Sequence, residues 1–144
     1  MFTLQQQASA VIKTNLVHPR GRDTFWRFYF GTVPDWQRIE GDIFNMMAKL
    51  CNRYQGAFWE FSMLSNGGVF IWPDMLETSL QMFNPHNGNE AELSPEAAGI
   101  AVCLLVYSIW SFKTESSVLV EYFYLLRDYA IQHPEQAQIF RLID

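Results

Sequence analysis

Two aromatic runs separated by Ser65-Asn66-Gly67-Gly68 place the tightest constraint on what this chain can fold into. Phe58-Trp59-Glu60-Phe61-Ser62-Met63-Leu64 and Val69-Phe70-Ile71-Trp72 are β-type runs. An Asn-Gly pair between such runs supplies two residues that tolerate positive φ. The pattern predicts a tight hairpin turn at 65–68, with Trp59, Phe61 and Met63 on one strand face. Pro73 either ends the second strand or marks it as an edge, because it has no N–H to give to a ladder. Leu76, Thr78, Leu80 and Met82 alternate with Glu77, Ser79 and Gln81. A third strand over about 76–83 is therefore expected beside the hairpin at about 57–73, and Asn84 to Asn89 reads as a turn-rich loop.

Helical signals surround this β region. Leu4 to Lys13 is expected as a short helix and Asn15 to Asp23 as a basic loop carrying Arg20 and Arg22. Thr24 to Phe30 is compatible with helix or strand. Pro34 is expected to open a helix, because a first-turn proline loses no needed donor. Its apolar face runs through Trp36, Ile39, Ile43, Met47, Leu50 and Tyr54 and ends near Gly56. Ser94-Pro95-Glu96 combines an N-cap, a first-turn proline and an acid at the positive end of the dipole. The helix it opens is apolar almost all round to about Phe112, which predicts the central buried helix. Residues 116–131 read as another helix, with Val118, Tyr122, Leu125 and Tyr129 on one stripe. A last short helix follows His133-Pro134-Glu135, with Ala137, Phe140 and Ile143 toward the core and Glu135 and Arg141 toward water. The expected fold class is α+β, a single domain over 1–144 with a small antiparallel sheet packed by helices. Residues 1–20 are expected as a less ordered segment.

Composition narrows the function classes. The chain has 144 residues, 49% of them hydrophobic and 17% charged. A chain of this length buries roughly 68% of its unfolded surface, so its core needs no disulfide or metal. Cys51 and Cys103 sit in apolar stretches and read as buried free thiols. His18, His86 and His133 are far apart, and none has a ligand partner at regular spacing. His133 is assigned to a helix start and His86 to solvent. Nucleotide-binding glycine loops and the G-x-S-x-G elbow are absent from the sequence. Ser65–Gly68 could form an anion nest, but without an adjacent Lys or Arg the hairpin is the better reading. Glu60, Glu90 and Glu92 show no arrangement that acid/base chemistry would require. Trp26, Phe28, Trp59, Phe61 and Trp72 are assigned to core packing, since only Arg20, Arg22 and Arg27 could interleave them for nucleic-acid stacking. The longest apolar stretch, Ala97 to Phe112, is short for a membrane span. With no signal-peptide pattern at the N-terminus, the cytoplasm is expected.

The run from Tyr54 to Pro73, Tyr-Gln-Gly-Ala-Phe-Trp-Glu-Phe-Ser-Met-Leu-Ser-Asn-Gly-Gly-Val-Phe-Ile-Trp-Pro, resembles the signature of the ArdB/KlcA antirestriction family. That signature reads Tyr-x-Gly-Gly-[Phe/Tyr]-Trp-x-Phe-x-x-Leu-Ser-Asn-Gly-Gly-Phe-[Tyr/Phe]-x-x-Pro. The departures are Ala57 for the second glycine and Val69 for the aromatic after Gly-Gly. Glu92 to Ile100 resembles the family's Glu-Leu-Ser-x-[Asp/Glu]-Ala-x-Gly-Ile. Ser111-Phe112 and the segment from His133 to Asp144 also fit. The matching positions Tyr54, Gly56, Trp59, Phe61, Leu64, Ser65, Asn66, Gly67, Gly68, Pro73, Leu93, Ser94, Ala97 and Gly99 are residue types that build a fold. Asn66, Gly67 and Asp144 are carried as candidate contact residues. The resemblance implies a protein of mobile genetic elements that relieves type I restriction while modification continues. Neither a catalytic residue nor a metal or cofactor comes with it. The implied partner is the type I system, reached directly or through a host factor, without tight DNA binding or membrane association, and a monomer is favoured. A small enzyme or ligand-binding domain with a pocket between hairpin and helices is the competing expectation.

Charge tests one mechanism at once. The net charge is −5, with +3 in residues 1–56 and −8 in residues 57–144. A compact chain of this length is about 37 Å across, and duplex DNA of that span carries roughly 22 phosphates. The carboxylates are too sparse for DNA mimicry.

Overall fold

The computed structural model describes residues 11–144. An antiparallel sheet of order β1-β2-β3 is formed by β1 (Thr14–Leu16), β2 (Phe58–Leu64) and β3 (Val69–Asp74). The hairpin stands where the sequence put it, but its turn is of a different kind. Gly67 N–H donates to Leu64 O at 3.0 Å and Leu64 N–H donates to Gly68 O at 2.8 Å. Gly67 has φ of 97°, while Asn66 keeps negative φ. This is a three-residue loop, a type I turn closed by a left-handed glycine, in place of the expected two-residue turn.

The third strand of this sheet comes from the N-terminal side. Thr14 pairs with Leu64, Asn15 with Met63 and Leu16 with Ser62. The strand expected at 76–83 is instead β4 (Leu80–Asn84), which pairs with β5 (Asn89–Leu93) in a separate two-stranded sheet. Residues 76–79 are irregular. The supposed loop after it is only the turn of this second hairpin, whose local closure costs little chain entropy.

Of the helix expected at Leu4–Lys13, residues 4–10 lie outside the described residues, and residues 11–13 are not helical. The expected basic loop contains β1, a 3₁₀ turn at Pro19–Gly21 and the start of α1 (Arg22–Phe30), so the ambiguous aromatic run is helical. Phe25 and Phe30 are buried there, but Phe28 is exposed and escapes the expected core role. The next helix does not open at Pro34: a 3₁₀ turn at Trp36–Arg38 leads into α2 (Ile39–Leu50). It stops at Cys51, six residues before the sequence changes character at Ala57, and Tyr54 lies beyond it.

The long helix α3 (Pro95–Thr114) occupies the centre, with Ala97 through Leu104 buried without a break. By length and mean hydropathy of 1.5 it could cross a membrane, but most of it is covered by the protein itself. Its packing also solves an edge problem. Alternation along β3 turns the Val69 and Ile71 carbonyls away from β2. Tyr107 Oη donates to Val69 O at 2.7 Å, and Cys103 Sγ approaches Ile71 O at 3.5 Å. Pro73 falls on the same outward side, so its missing N–H costs the ladder nothing. The helix thereby covers a strand edge that would otherwise template association.

Two further helices close the core. In α4 (Ser117–Gln132) the expected stripe is only half-buried; the fully buried residues are Leu119, Leu126 and Ala130. In α5 (Gln136–Ile143) the buried residues are Ile139 and Leu142, whereas Ala137 is exposed. The inward face is thus rotated from the expected one, because the helix lies on the β4–β5 hairpin as well as on α3. Three asparagines of that hairpin tie down its end. Asn84 and Asn87 donate to Leu142 O at 2.9 and 3.0 Å, and Asn89 donates to Arg141 O at 2.8 Å. These bonds satisfy carbonyls that a helix C-terminus leaves orphaned.

Candidate functional site

The residues singled out in the sequence converge at tertiary joints. At the hairpin tip, Ser65 N–H donates to Lys13 O at 2.8 Å, and Ser65 Oγ accepts from Lys13 N–H at 2.9 Å. Asn66 Oδ1 accepts from Gly68 N–H and its Nδ2 donates to Leu125 O, both at 2.9 Å. One asparagine therefore holds the turn and fastens it to α4. A Cβ on Gly68 would lie 3.0 Å from both Leu125 Cβ and Leu64 Cδ1, so a side chain there requires its neighbours to shift. At the other end of the hairpin, Trp59 Nε1 donates to Tyr54 Oη at 3.1 Å. A Cβ on Gly56 would meet nothing within 4 Å, but its φ of 102° suits glycine.

A second joint brings Ser94 and Glu96, at the start of α3, to the His133-Pro134-Glu135 segment. Glu135 accepts from Ser94 N–H at 2.8 Å and from Ser94 Oγ at 2.5 Å. His133 Nδ1 accepts from Glu135 N–H at 3.0 Å, which places the ring proton on Nε2, 2.8 Å from Glu96 Oε1. His133 does support a helix start, as expected, and it is also buried and bound to a carboxylate. Glu135, expected to face water, is committed to Ser94. Sequence reasoning missed this cluster because its members are some 40 positions apart.

Serine, histidine and glutamate thus lie together, but they are not connected as a nucleophile and its base. Ser94 Oγ is bonded to Glu135 and accepts from Ala97 N–H at 3.2 Å, as an N-cap. The histidine is bonded to the other glutamate. A nucleophile needs a direct bond to its base and an open approach. Five surface cavities among the described residues are lined by other residues. The two cysteines are free and buried, and burial pushes the Cys103 thiol up to about 12. Burial likewise raises the Tyr107 hydroxyl well above its ordinary value, and it raises those of Tyr122 and Tyr129. These groups stay neutral near pH 7 and are not primed for nucleophilic work. Among the described residues no three His, Cys, Asp or Glu side chains could hold a metal ion.

Six of the fifteen carboxylates have side-chain partners within the chain: the exposed Glu92, which accepts from Ser79 Oγ at 3.3 Å, and five at part-buried joints. Glu40 accepts from Trp26, Asp42 from Trp110, Glu60 pairs with Arg22, Glu96 with His133 and Glu135 with Ser94. Asp144 is exposed at the end of α5, away from the hairpin tip in its contacts, so the three candidate contact residues do not share a local network.

Three surface cavities gather around the C-terminal half of α3. Two adjoining cavities of about 180 and 390 Å³, sharing Asp42 and Trp110, lie between α2 and α3. A third of about 330 Å³ lies between α3 and α4. Ile109 and Phe112 stand exposed on the ridge between them.

Comparison with known proteins assigns these features a family context. The antirestriction protein family model matches residues 52–144. The uncharacterized protein YfjX of Escherichia coli K12 is 49% identical over 121 residues, covering 83% of this chain and 80% of its own length. The Escherichia coli antirestriction protein KlcA is 34% identical over 139 residues, covering 92% of this chain and 95% of its own. A solved structure from work on KlcA and ArdB superimposes with a TM-score of 0.82 at 34% identity, covering 92% of this chain and 95% of the other. Those proteins are described as having a novel fold and antirestriction activity against type I DNA restriction systems in vivo but not in vitro.

Proposed function

The chain belongs to the antirestriction protein family, and from that premise we propose that it relieves type I restriction of incoming DNA by contacting a protein, without catalysis and without imitating DNA. The observation that carries this reading is the match of fold and sequence, over nearly the whole chain, to the KlcA and ArdB structure and the activity stated for those proteins. The activity stated for KlcA and ArdB, in vivo but not in vitro, supports a host component between this protein and the restriction enzyme. The signature residues act by building joints: Ser65, Asn66 and Gly68 fasten the hairpin to the N-terminal strand and α4, and Ser94 fastens α3 to α5.

Two features speak against a DNA mimic. A third of the carboxylates are occupied inside the fold, and the cavities around α3 include Arg38, Lys49 and Lys113. A mimic needs a dense acidic face with strongly salt-dependent attraction. The test is plating of unmodified phage on cells with and without a type I system, each with and without this protein. Relief of restriction only where both are present is expected; equal restriction in both backgrounds overturns the proposal. In competition with DNA for purified type I enzyme at low salt, no displacement is expected, and stoichiometric displacement would restore mimicry.

A further inference from the structure

We infer that the ridge and grooves around the C-terminal half of α3 form the surface that receives the partner, and that the partner presents an apolar side chain flanked by Asp or Glu. This inference rests on the antirestriction reading only for its cellular readout. The apolar part is plain: Phe112 is 84% exposed, Ile109 46%, Tyr124 56% and Val120 43%. Most of the rest of α3 is buried, and solvation disfavours a bare phenylalanine. A contiguous exposed apolar patch marks a contact surface more often than a packing accident.

Charge selects the occupant. Among the described residues Arg38, Lys49 and Lys113 line the α2–α3 cleft without a carboxylate within salt-bridge distance; Lys113 lies over the Trp110 ring at 5.2 Å. Asp42, in the same cleft, is turned to Trp110 Nε1 at 2.8 Å. Lys49 and Lys113 occupy the last turns of their helices, where the dipole favours a cation. Arg38 closes the 3₁₀ turn that leads into α2 and is exposed there. Three cations along one cleft, none of them in an ion pair among the described residues, favour an anionic occupant.

The other occupants fit less well. A second copy would bring the same three cations toward each other across a two-fold axis. The four side chains also expose only roughly 500 Å², short of the ~800 Å² per partner of a stable interface. A nucleic acid could stack on Phe112 and Tyr124, but a backbone with a phosphate at every nucleotide would find only three cations in the cleft, interspersed with Asp35 and Asp42. A free phosphate would leave the apolar ridge unused. An acidic segment with an apolar anchor uses the ridge and cations together, and a small interface of this kind suits a transient encounter.

The experiment uses the full chain in cells carrying a type I system. Phe112→Asp and the double variant Arg38→Glu/Lys113→Glu change exposed side chains, so melting temperatures should stay within about 3 °C of the parent. Each should lower restriction relief at least ten-fold at unchanged protein level. Phe83→Asp, an exposed aromatic on β4 that lines neither groove, should leave relief intact. Full relief from both surface variants, with the parent active, overturns the inference and leaves the antirestriction reading standing. No relief from the parent overturns that reading, and the surface is then decided by a second measurement. A benzophenone amino acid at position 112 should yield in cells a cross-link to a segment carrying an apolar residue beside Asp or Glu, identified by mass spectrometry. That adduct should disappear with Arg38→Glu/Lys113→Glu. No adduct, an adduct to a segment without acids, or one to a second copy of this chain refutes the inference.

Discussion

Replacing Gly99 by alanine sets two physical effects of opposite sign against each other. In an isolated helix the change is favourable by about 1 kcal/mol, because glycine is the poorer helix former. In this protein the new Cβ would lie 2.3 Å from Trp72 Cβ and 2.6 Å from both Ile71 O and Trp72 Cα. Carbon atoms at rest sit about 3.5–4.0 Å apart, so the overlap exceeds 1 Å. Two of the three atoms are backbone, and no rotamer change can move them aside. The helix must retreat from β3, and in doing so it draws Tyr107 Oη from Val69 O, a bond now 2.7 Å long. Overpacking costs about 1–3 kcal/mol and a weakened buried hydrogen bond about 1 more. Set against the propensity gain of about 1 kcal/mol, a net loss of about 1–3 kcal/mol is expected. For a chain of this size that lowers the melting temperature by about 3–12 °C. Thermal unfolding followed by circular dichroism reads this directly. A peptide spanning residues 95–114 should gain helicity with the same substitution, separating the local effect from the tertiary one. An unchanged or higher melting temperature in the protein would refute the claim that Gly99 is there for close approach.

Four further outcomes are expected. Gly67→Val, at φ of 97°, should destabilise by at least ~1 kcal/mol in urea titration, because a β-branched residue resists that conformation; an unchanged midpoint would contradict the turn geometry. Asn66→Ala should cost about 1–3 kcal/mol by leaving Leu125 O and Gly68 N–H without their partner, and faster amide exchange at Gly68 would locate the loss. Truncation before Pro134 removes the buried Ile139 and Leu142, about 2 kcal/mol each, and strands Asn84, so the shortened chain should fail to fold cooperatively; a stable, active truncation would show α5 to be dispensable. Cys103 should resist a thiol reagent at pH 8 until the protein unfolds. Its folded pKa of about 12 lies above the unfolded value of 9.0, so its stability contribution is fully present below pH 9 and is lost as pH rises toward 12; rapid labelling of the native protein would overturn the burial argument.

Local patterns determined the elements whose causes are local. The hairpin followed from two β-type runs and a glycine-rich turn, and the central helix from Ser94, Pro95 and a continuous apolar run. The α+β class followed from their combination, and the four ordered blocks carried the family. Tertiary structure decided which strands share a sheet. Alternation at 76–83 shows that a strand can form, but it does not reveal its neighbour, and β1 took the place beside β2 while β4 paired with β5. It also decided the turn type, because Leu125 O on a distant helix gave the Asn66 side chain a reason to hold negative φ. The inward faces of α4 and α5 depended on a second layer that periodicity does not describe, so the buried residues became Leu119, Leu126, Ile139 and Leu142. The polar cluster of Ser94, Glu96, His133 and Glu135, and the cleft that gathers Arg38, Lys49 and Lys113, join residues tens of positions apart. Periodicity reports which side of an element is apolar, whereas the site depends on which elements the packed core brings face to face.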